Sequence, residues 1–276
     1  AEKIIKLMIK DEMNPSLDDF TSTIKSFVKN NKPRKAAKFV ELLKENGVQP
    51  HQIVLGSVLN GFAKGGDVAG AREFARKIQD WGCTFDVTML NLLLHCCARA
   101  AEPHTAIEII KEYADEDNHF INESGVACGV LPDTRSINFV MEAFIKSNDI
   151  PGCAKYFHDV FVEKIAIGQK HVVMPNVTSF NFLIAAYAHQ NVDESIIWFE
   201  RMAEFGVEPN AVSVNTILDV LSIQDSARAT MWLSAVQQKT ALDIYVRGFQ
   251  QVGSRARNNK KPEGVQGIEL SSDLSI

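Results

Sequence analysis

The sequence predicts an all-α fold, a right-handed α-solenoid of stacked helix–turn–helix repeats of about 35 residues each. Three observations predict it. A short punctuating segment recurs down the chain, the apolar residues between these segments follow helical spacing twice, and columns of like residues align when the segments are superposed. No strand-like alternation interrupts the series.

The punctuating segments are Gly47-Val-Gln-Pro-His51, Gly82-Cys-Thr-Phe-Asp86, Gly129-Val-Leu-Pro-Asp133, Val172-Val-Met-Pro-Asn176 and Gly206-Val-Glu-Pro-Asn210, with Asn14-Pro-Ser16 resembling the tail of another. Most combine a Gly that ends one helix in the left-handed conformation with an extended residue before Pro and a polar cap for the next helix. Successive closing residues lie 35, 35, 47, 43 and 34 positions apart, so two intervals carry insertions. The units are therefore 17–51, 52–86, 87–133, 134–176 and 177–210, with a degenerate sixth over 211–245. Residues 1–16 read as the second helix of a truncated repeat, which implies further repeats upstream. Insertions near 114–128 and 162–172 follow second helices and are expected to be loops or helix extensions. Residues 246–276 form a basic stretch (Arg247, Arg255, Arg257, Lys260, Lys261) and then a low-complexity tail, a composition that alone does not fold.

Within a unit, 52–86 for example, Val54, Val58, Phe62 and Ala63 make one helical stripe, and Val68, Ala71, Phe74, Ala75 and Ile78 a second. Gly65-Gly66-Asp67 separates them as an interhelical turn. Down the chain, Phe27, Phe62, Cys97, Phe144 and Tyr187 share a place late in each first helix. Ala36, Ala71, Ala106, Cys153 and Ser195 share a small-residue place in each second helix, where close helix approach is expected.

Composition sets bounds on function. Of 276 residues, 46% are hydrophobic and 23% charged, and no apolar run is long enough to span a membrane. The formal net charge is −5, but Asp115, Glu116, Asp117 and Glu123 contribute four of those charges from one insertion without Lys or Arg. The remainder is nearly neutral, so charge neither favours nor excludes a nucleic acid. The acidic run reads as a solvated loop. The five cysteines and seven histidines show no zinc spacing, and no nucleotide-binding or nucleophile-elbow motif occurs. No cofactor, metal or catalytic machinery is expected.

The segments Val177-Thr-Ser-Phe-Asn-Phe-Leu-Ile184, Val87-Thr-Met-Leu-Asn-Leu-Leu-Leu94 and Ala211-Val-Ser-Val-Asn-Thr-Ile-Leu218, with the Gly-x-x-Pro-Asp/Asn endings, resemble the pentatricopeptide repeat family over residues 1–245. The tetratricopeptide repeat lacks this Asn and places its Pro differently. The resemblance implies an organellar protein, in mitochondrion or chloroplast, that binds single-stranded RNA along its concave face, roughly one base per repeat. Base choice in the family follows the fifth residue of a repeat with its last. The pairs are then Thr21 with His51, Gly56 with Asp86, Asn91 with Asp133, Asn138 with Asn176 and Asn181 with Asn210, and Asn215 opens the sixth unit. Asn with Asp resembles a uracil pair and Asn with Asn a pyrimidine pair leaning to cytosine, so the expected RNA leans to pyrimidines. Thr21 hints at a purine beside an atypical His51, and Gly56 offers no polar group. Ile53, Thr88, Thr178 and Val212 are the expected base-sandwiching residues at the second place, from which Arg135 departs.

A basic ladder accompanies these pairs. Lys29, Lys64, Arg99, Lys146 and His189 all fall at the thirteenth place of their units, suited to tracking phosphates. Two plainer readings stand beside these. Closing Asp or Asn residues are good helix caps, and cations late in a helix complement its dipole by about 0.3–1 kcal/mol. The Asn column is harder to ascribe to folding, because Asn is a mediocre helix former. The expected role is RNA processing, stability, translation or ribosome function without catalysis. The rival reading is a scaffold subunit of an organellar ribonucleoprotein, with protein partners held through the insertions and tail.

Overall fold

The computed structural model describes residues 17–113, 130–163 and 173–239, which form twelve α-helices without a strand among the described residues. The expected second helix over 1–16, the 114–128 insertion, most of the 162–172 insertion and the 246–276 tail lie outside these residues. Helices come in pairs: α1 (Leu17–Lys29) with α2 (Pro33–Glu45), α3 (Gln52–Gly65) with α4 (Val68–Asp80), and α5 (Val87–Ala100) with α6 (Pro103–Tyr113). Then come α7 (Thr134–Lys146) with α8 (Ile150–Phe157), α9 (Val177–Ala188) with α10 (Val192–Arg201), and α11 (Ala211–Gln224) with α12 (Ser226–Lys239). A π-helical turn, His158–Glu163, extends α8 into the start of the second insertion. Two compact units meet at Pro209 and Asn210, so α1–α10 belong to one and α11–α12 to the other.

Local chemistry explains each boundary. First helices begin on the closing residue of the preceding repeat, whose side chain accepts a backbone N–H. Asp86 accepts from Met89, Asp133 from Ser136, Asn176 from Ser179 and Asn210 from Ser213. Second helices begin with Pro33, Pro103 or Pro151, which lack an N–H that would be unpaired there, or on the carboxylates of Asp67 and Asp149. They end as the punctuation predicts. Val48, Cys83 and Val207 donate back to the carbonyls of Leu43, Ile78 and Met202 across Gly47, Gly82 and Gly206, all at positive φ. The turn inside each of the first four pairs uses a left-handed residue at one fixed place: Asn31, Gly66, Ala101 and Asn148.

In the larger unit each first helix packs against both helices of the pair before it. The small-residue column is fully buried, from Ala36, Ala71 and Ala106 to Cys153 and Ser195, the last two bonding to carbonyls of the first helix in their own pair. Each repeat buries one stripe against its own partner and another against its neighbour, at about 1.5–3 kcal/mol per large side chain. The first insertion leaves this stacking undisturbed at its base. The Val130 N–H donates to the Tyr113 carbonyl at 3.0 Å, so the chain returns to where it departed.

Candidate nucleic-acid interface on the first helices

On an ideal helix the second and thirteenth places fall within about 20° of each other and about 16 Å apart along the axis, and the fifth lies about 60° to one side of the second. First helices that stack on one another therefore line up these places as rows. Ile53 is 65% exposed and Thr88, Arg135 and Thr178 are exposed along the row of second places. Lys29, Lys64, Arg99, Lys146 and His189 are exposed as well, at the last turn or cap of α1, α3, α5, α7 and α9. Lys146 pairs with Glu142 at 2.6 Å. In the smaller unit Val212 is 57% exposed on α11, and Ile223 occupies the thirteenth place there.

The fifth places are built differently from what the sequence alone suggests. Asn91 and Asn138 are each only 8% exposed, and their amides are already hydrogen-bonded. Asn91 Nδ2 donates to the Asp133 carboxylate at 3.3 Å, and its Oδ1 accepts from Ser136 Oγ at 2.7 Å. Asn138 repeats the arrangement one unit later, donating to Asn176 Oδ1 at 3.2 Å and accepting from Ser179 Oγ at 2.7 Å. Each pair thus meets across a repeat junction, joined by a third residue, the serine at the third place of the following unit. An Asn amide has two N–H donors and two acceptor sites, so one of each is left unused by these bonds. The column is therefore a structural junction too, which explains why a mediocre helix former recurs there. Asn181 and Asn210 lie in different compact units, and each has further interactions of its own. Asn215 Oδ1 is buried with no hydrogen-bond partner among the described residues.

The first two units lack this junction. Thr21 is half-buried on α1, and the exposed His51 accepts the Ile53 N–H on its ring nitrogen. Gly56 has no side chain to reach Asp86, whose carboxylate instead accepts from Gln52 Nε2 at 2.7 Å. The third places here are Val54 and Met89, both buried and apolar.

Between α5 and α7 lies a stack that the sequence reading passed over. The His95 ring lies on Phe139, centroids 5.0 Å apart at 29°, and the Arg135 guanidinium sits 5.9 Å above the same ring. Burial lowers the His95 pKa from its ordinary value, partly opposed by Glu142. Among the described residues, no group of His, Cys, Asp or Glu could hold a metal ion. Burial pushes the thiols of Cys96, Cys97 and Cys153 up to about 12, so they are protonated at neutral pH and are packing groups. No helix among the described residues is long and apolar enough to cross a membrane.

Comparison with known proteins agrees with this repeat geometry. Two family models match: "Pentatricopeptide repeat-containing protein" over residues 1–113 and "Pentatricopeptide repeat domain" over 169–222. The chain belongs to the pentatricopeptide repeat family. A pentatricopeptide repeat-containing protein of Arabidopsis thaliana is 20% identical over 246 residues, 79% of this chain and 42% of the relative. A second from the same plant, named as mitochondrial, is 26% identical over 49% of this chain and 29% of its own. A third, named as chloroplastic, is 20% identical over 61% of this chain and 20% of its own. The chain thus spans less than half the length of these curated relatives. Among solved structures, the pentatricopeptide repeat protein PPR10 in complex with an 18-nt psaJ RNA element superposes with a TM-score of 0.56 at 19% identity, over 84% of this chain and 32% of that one. Nuclear proteinaceous RNase P 2 of Arabidopsis thaliana gives 0.51 at 10% identity, over 75% and 42%. Both are likenesses of fold.

Proposed function

We propose that this chain holds single-stranded RNA against the first-helix face, roughly one base per repeat and without catalysis of its own, inside a mitochondrion or chloroplast. The observation that supports it most is the pairing of each fifth-place Asn with the closing residue across a junction. Asn91 with Asp133 and Asn138 with Asn176 each leave one amide donor and one acceptor site unused by the junction, on helices whose second-place residues are exposed. A base entering there would lie between neighbouring second-place residues, Thr88 with Arg135 or Arg135 with Thr178, and meet the amide edge-on. Aromatic stacking is worth about 1–3 kcal/mol per base, and branched aliphatic flanks supply a smaller share of the same kind. Arg135 above Phe139 offers a guanidinium plane where the units 52–86, 87–133 and 177–210 have Ile or Thr, and bases stack on such planes as well. Lys64, Arg99 and Lys146, at the far end of the same helices, would track phosphates. By sequence register Asn181 and Asn215 hold the fifth places and Thr178 and Val212 the second places of their units, with Asn210 closing the unit 177–210. The pairing favours pyrimidines over 87–210. The organelle follows from relatives named as mitochondrial and chloroplastic. RNA processing, stability, translation or ribosome function are the processes such binding would serve.

The test is binding to short fluorescent RNAs with UCC, UUU or GAA cores across a salt series. Micromolar or tighter binding is expected, with pyrimidines preferred, salt weakening it, and an Asn138→Ala/Asn181→Ala variant losing the preference. Equal and negligible binding to all three cores would refute the proposal.

A second reading, a scaffold in an organellar ribonucleoprotein, draws on the units 17–51 and 52–86. They present no amide at the fifth place, and their second helices carry a charged surface that suits protein contacts. The two insertions and the 246–276 tail would add to it. Both readings can describe one RNA-contacting subunit.

A further inference from the structure

The serines at the third place of the following unit, which join each pair, are both fully buried. We infer that Ser136 and Ser179 are positioning residues that fix which way the Asn91 and Asn138 amides face, and thereby which pyrimidine each junction selects. This rests on the RNA reading above.

An Asn amide turned by 180° fills the same space but exchanges its donor and acceptor. Two constraints remove that freedom here. The closing residue must present an oxygen, because it caps the next helix: Asp133 Oδ1 accepts from the Ser136 N–H at 2.8 Å, and Asn176 Oδ1 from the Ser179 N–H at 3.1 Å. An oxygen there calls for the Nδ2 side of the amide. The serine supplies the other constraint. Its Oγ accepts the backbone N–H of the closing residue, at 3.1 Å from Asp133 and 3.2 Å from Asn176. Its proton is left to donate. The closing Oδ1 lies at 3.0 Å from Ser136 Oγ and 3.1 Å from Ser179 Oγ, but the amide oxygen is nearer, at 2.7 Å in both units. The proton therefore goes to the amide oxygen, and the capping box at the start of one helix sets the amide of the helix before it.

The consequence is specific to base choice. Uracil and cytosine fill equal volumes but reverse donor and acceptor along the pairing edge, at N3 and at the exocyclic group of C4. An amide held one way offers its remaining N–H and lone pair in one order and so suits one of them, and since Asn91 and Asn138 are held alike it is the same one at both junctions. Without the hydroxyl the Oδ1 anchor is lost and the amide turns more freely about its last torsion. Both bases are then accepted.

The test compares wild type with Ser136→Ala/Ser179→Ala on RNAs of identical flanks carrying uracil or cytosine at the two matched positions. The readout is the ratio of the two dissociation constants, because loss of folded protein weakens both equally and leaves the ratio alone. Wild type is expected to discriminate by about fivefold or more at a matched base, and the alanine variant to move toward equality. Ser136→Thr/Ser179→Thr, which keeps the hydroxyl, should retain the wild-type ratio. Ser195→Ala serves as a control, removing a buried hydroxyl that donates to the Ile184 carbonyl at 3.0 Å within one repeat, and should leave the ratio unchanged. Should the alanine variant fail to fold, Ser136→Cys/Ser179→Cys takes its place, with similar volume and a weak donor. A folded variant that loses affinity for both RNAs but keeps the wild-type ratio overturns the inference while leaving RNA binding intact. Wild type that binds neither RNA overturns the RNA reading itself.

Discussion

Units 17–86 and units 87–210 share one backbone plan but are fastened by different chemistry. In the first region charge pairs on the second helices do the fastening. Arg34 grips Asp67 with two bonds, at 2.5 and 2.8 Å, Lys77 reaches Glu41 at 2.9 Å, and Arg72 and Arg76 both reach Glu112 on α6. In the second region the fastening lies between first helices, in the buried amide–serine junctions, and in an aromatic hub. There Phe157 touches Phe161, Phe180, Trp198 and Phe205 at centroid distances of 4.9 to 6.0 Å. The stacking itself needs only the apolar stripes and the small-residue column, which both regions have. The amide column is therefore an addition to the fold, buried at the junctions between repeats. That separates a part of the array fastened by charge pairs from a part fastened by buried amides.

The largest effect should come from the hub. Phe157→Ala removes a fully buried ring in contact with α9 and α10 and should cost about 3–5 kcal/mol. Because repeats contact chiefly their neighbours, hydrogen exchange should rise over 134–201 with little change over 17–80. A uniform rise along the whole chain would instead show that the two regions unfold as one.

Next is Asn138→Ala, which removes the buried hydrogen bonds to Asn176 and Ser179 and should destabilise by about 1–3 kcal/mol in denaturant titrations. On the other side of the comparison, Arg34→Ala should cost under about 1 kcal/mol, because its ion pair is partly exposed and screened by salt. Equal costs for the two variants would abolish the distinction drawn between the regions.

A smaller effect probes the turns that both regions share. Gly66 and Ala101 occupy the same left-handed place, at φ 67° and 58°. Gly66→Ala should destabilise by about 1 kcal/mol, and Ala101→Gly should be neutral or stabilising by a similar amount, since left-handed backbone penalises a Cβ. Thermal unfolding of the pair checks it; two shifts of the same sign would contradict the shared geometry.

The fold was legible because its signals are local and repeated. Gly47, Gly82 and Gly206 end helices where the punctuation placed them, and Ala36, Ala71 and Ala106 lie buried. The fifth-place Asn column was legible for the same reason, as a fixed place in a counted unit. Its hydrogen-bonded state was not. Ser136 and Asn91 are 45 residues apart, and Ser179 and Asn138 are 41 apart, with an insertion inside each interval. No local window holds both partners. A trace was present, since Ser occupies the third place in the units that follow an Asn, while Val54 and Met89 stand there otherwise. The His95–Phe139 stack left no such trace, because it joins the ninth place of one unit to the sixth of the next and occurs once.

That stack yields the smallest and most local prediction. His95 lies on Phe139 near Glu142, Arg99, Lys146 and Arg135, and burial, aided by the three cations, disfavours its charged form. Its folded pKa is thus depressed below the unfolded value of about 6.5. Above that pH the ring is neutral in both states and contributes no pH dependence. As the pH falls below it, the unfolded chain takes up a proton that the folded chain resists, so stability declines until the folded pKa is passed. Denaturant midpoints measured from pH 7.5 to pH 5.5 should therefore fall less steeply in His95→Phe, which keeps an aromatic ring on Phe139. Parallel profiles for the two proteins would show that His95 is too well solvated to matter.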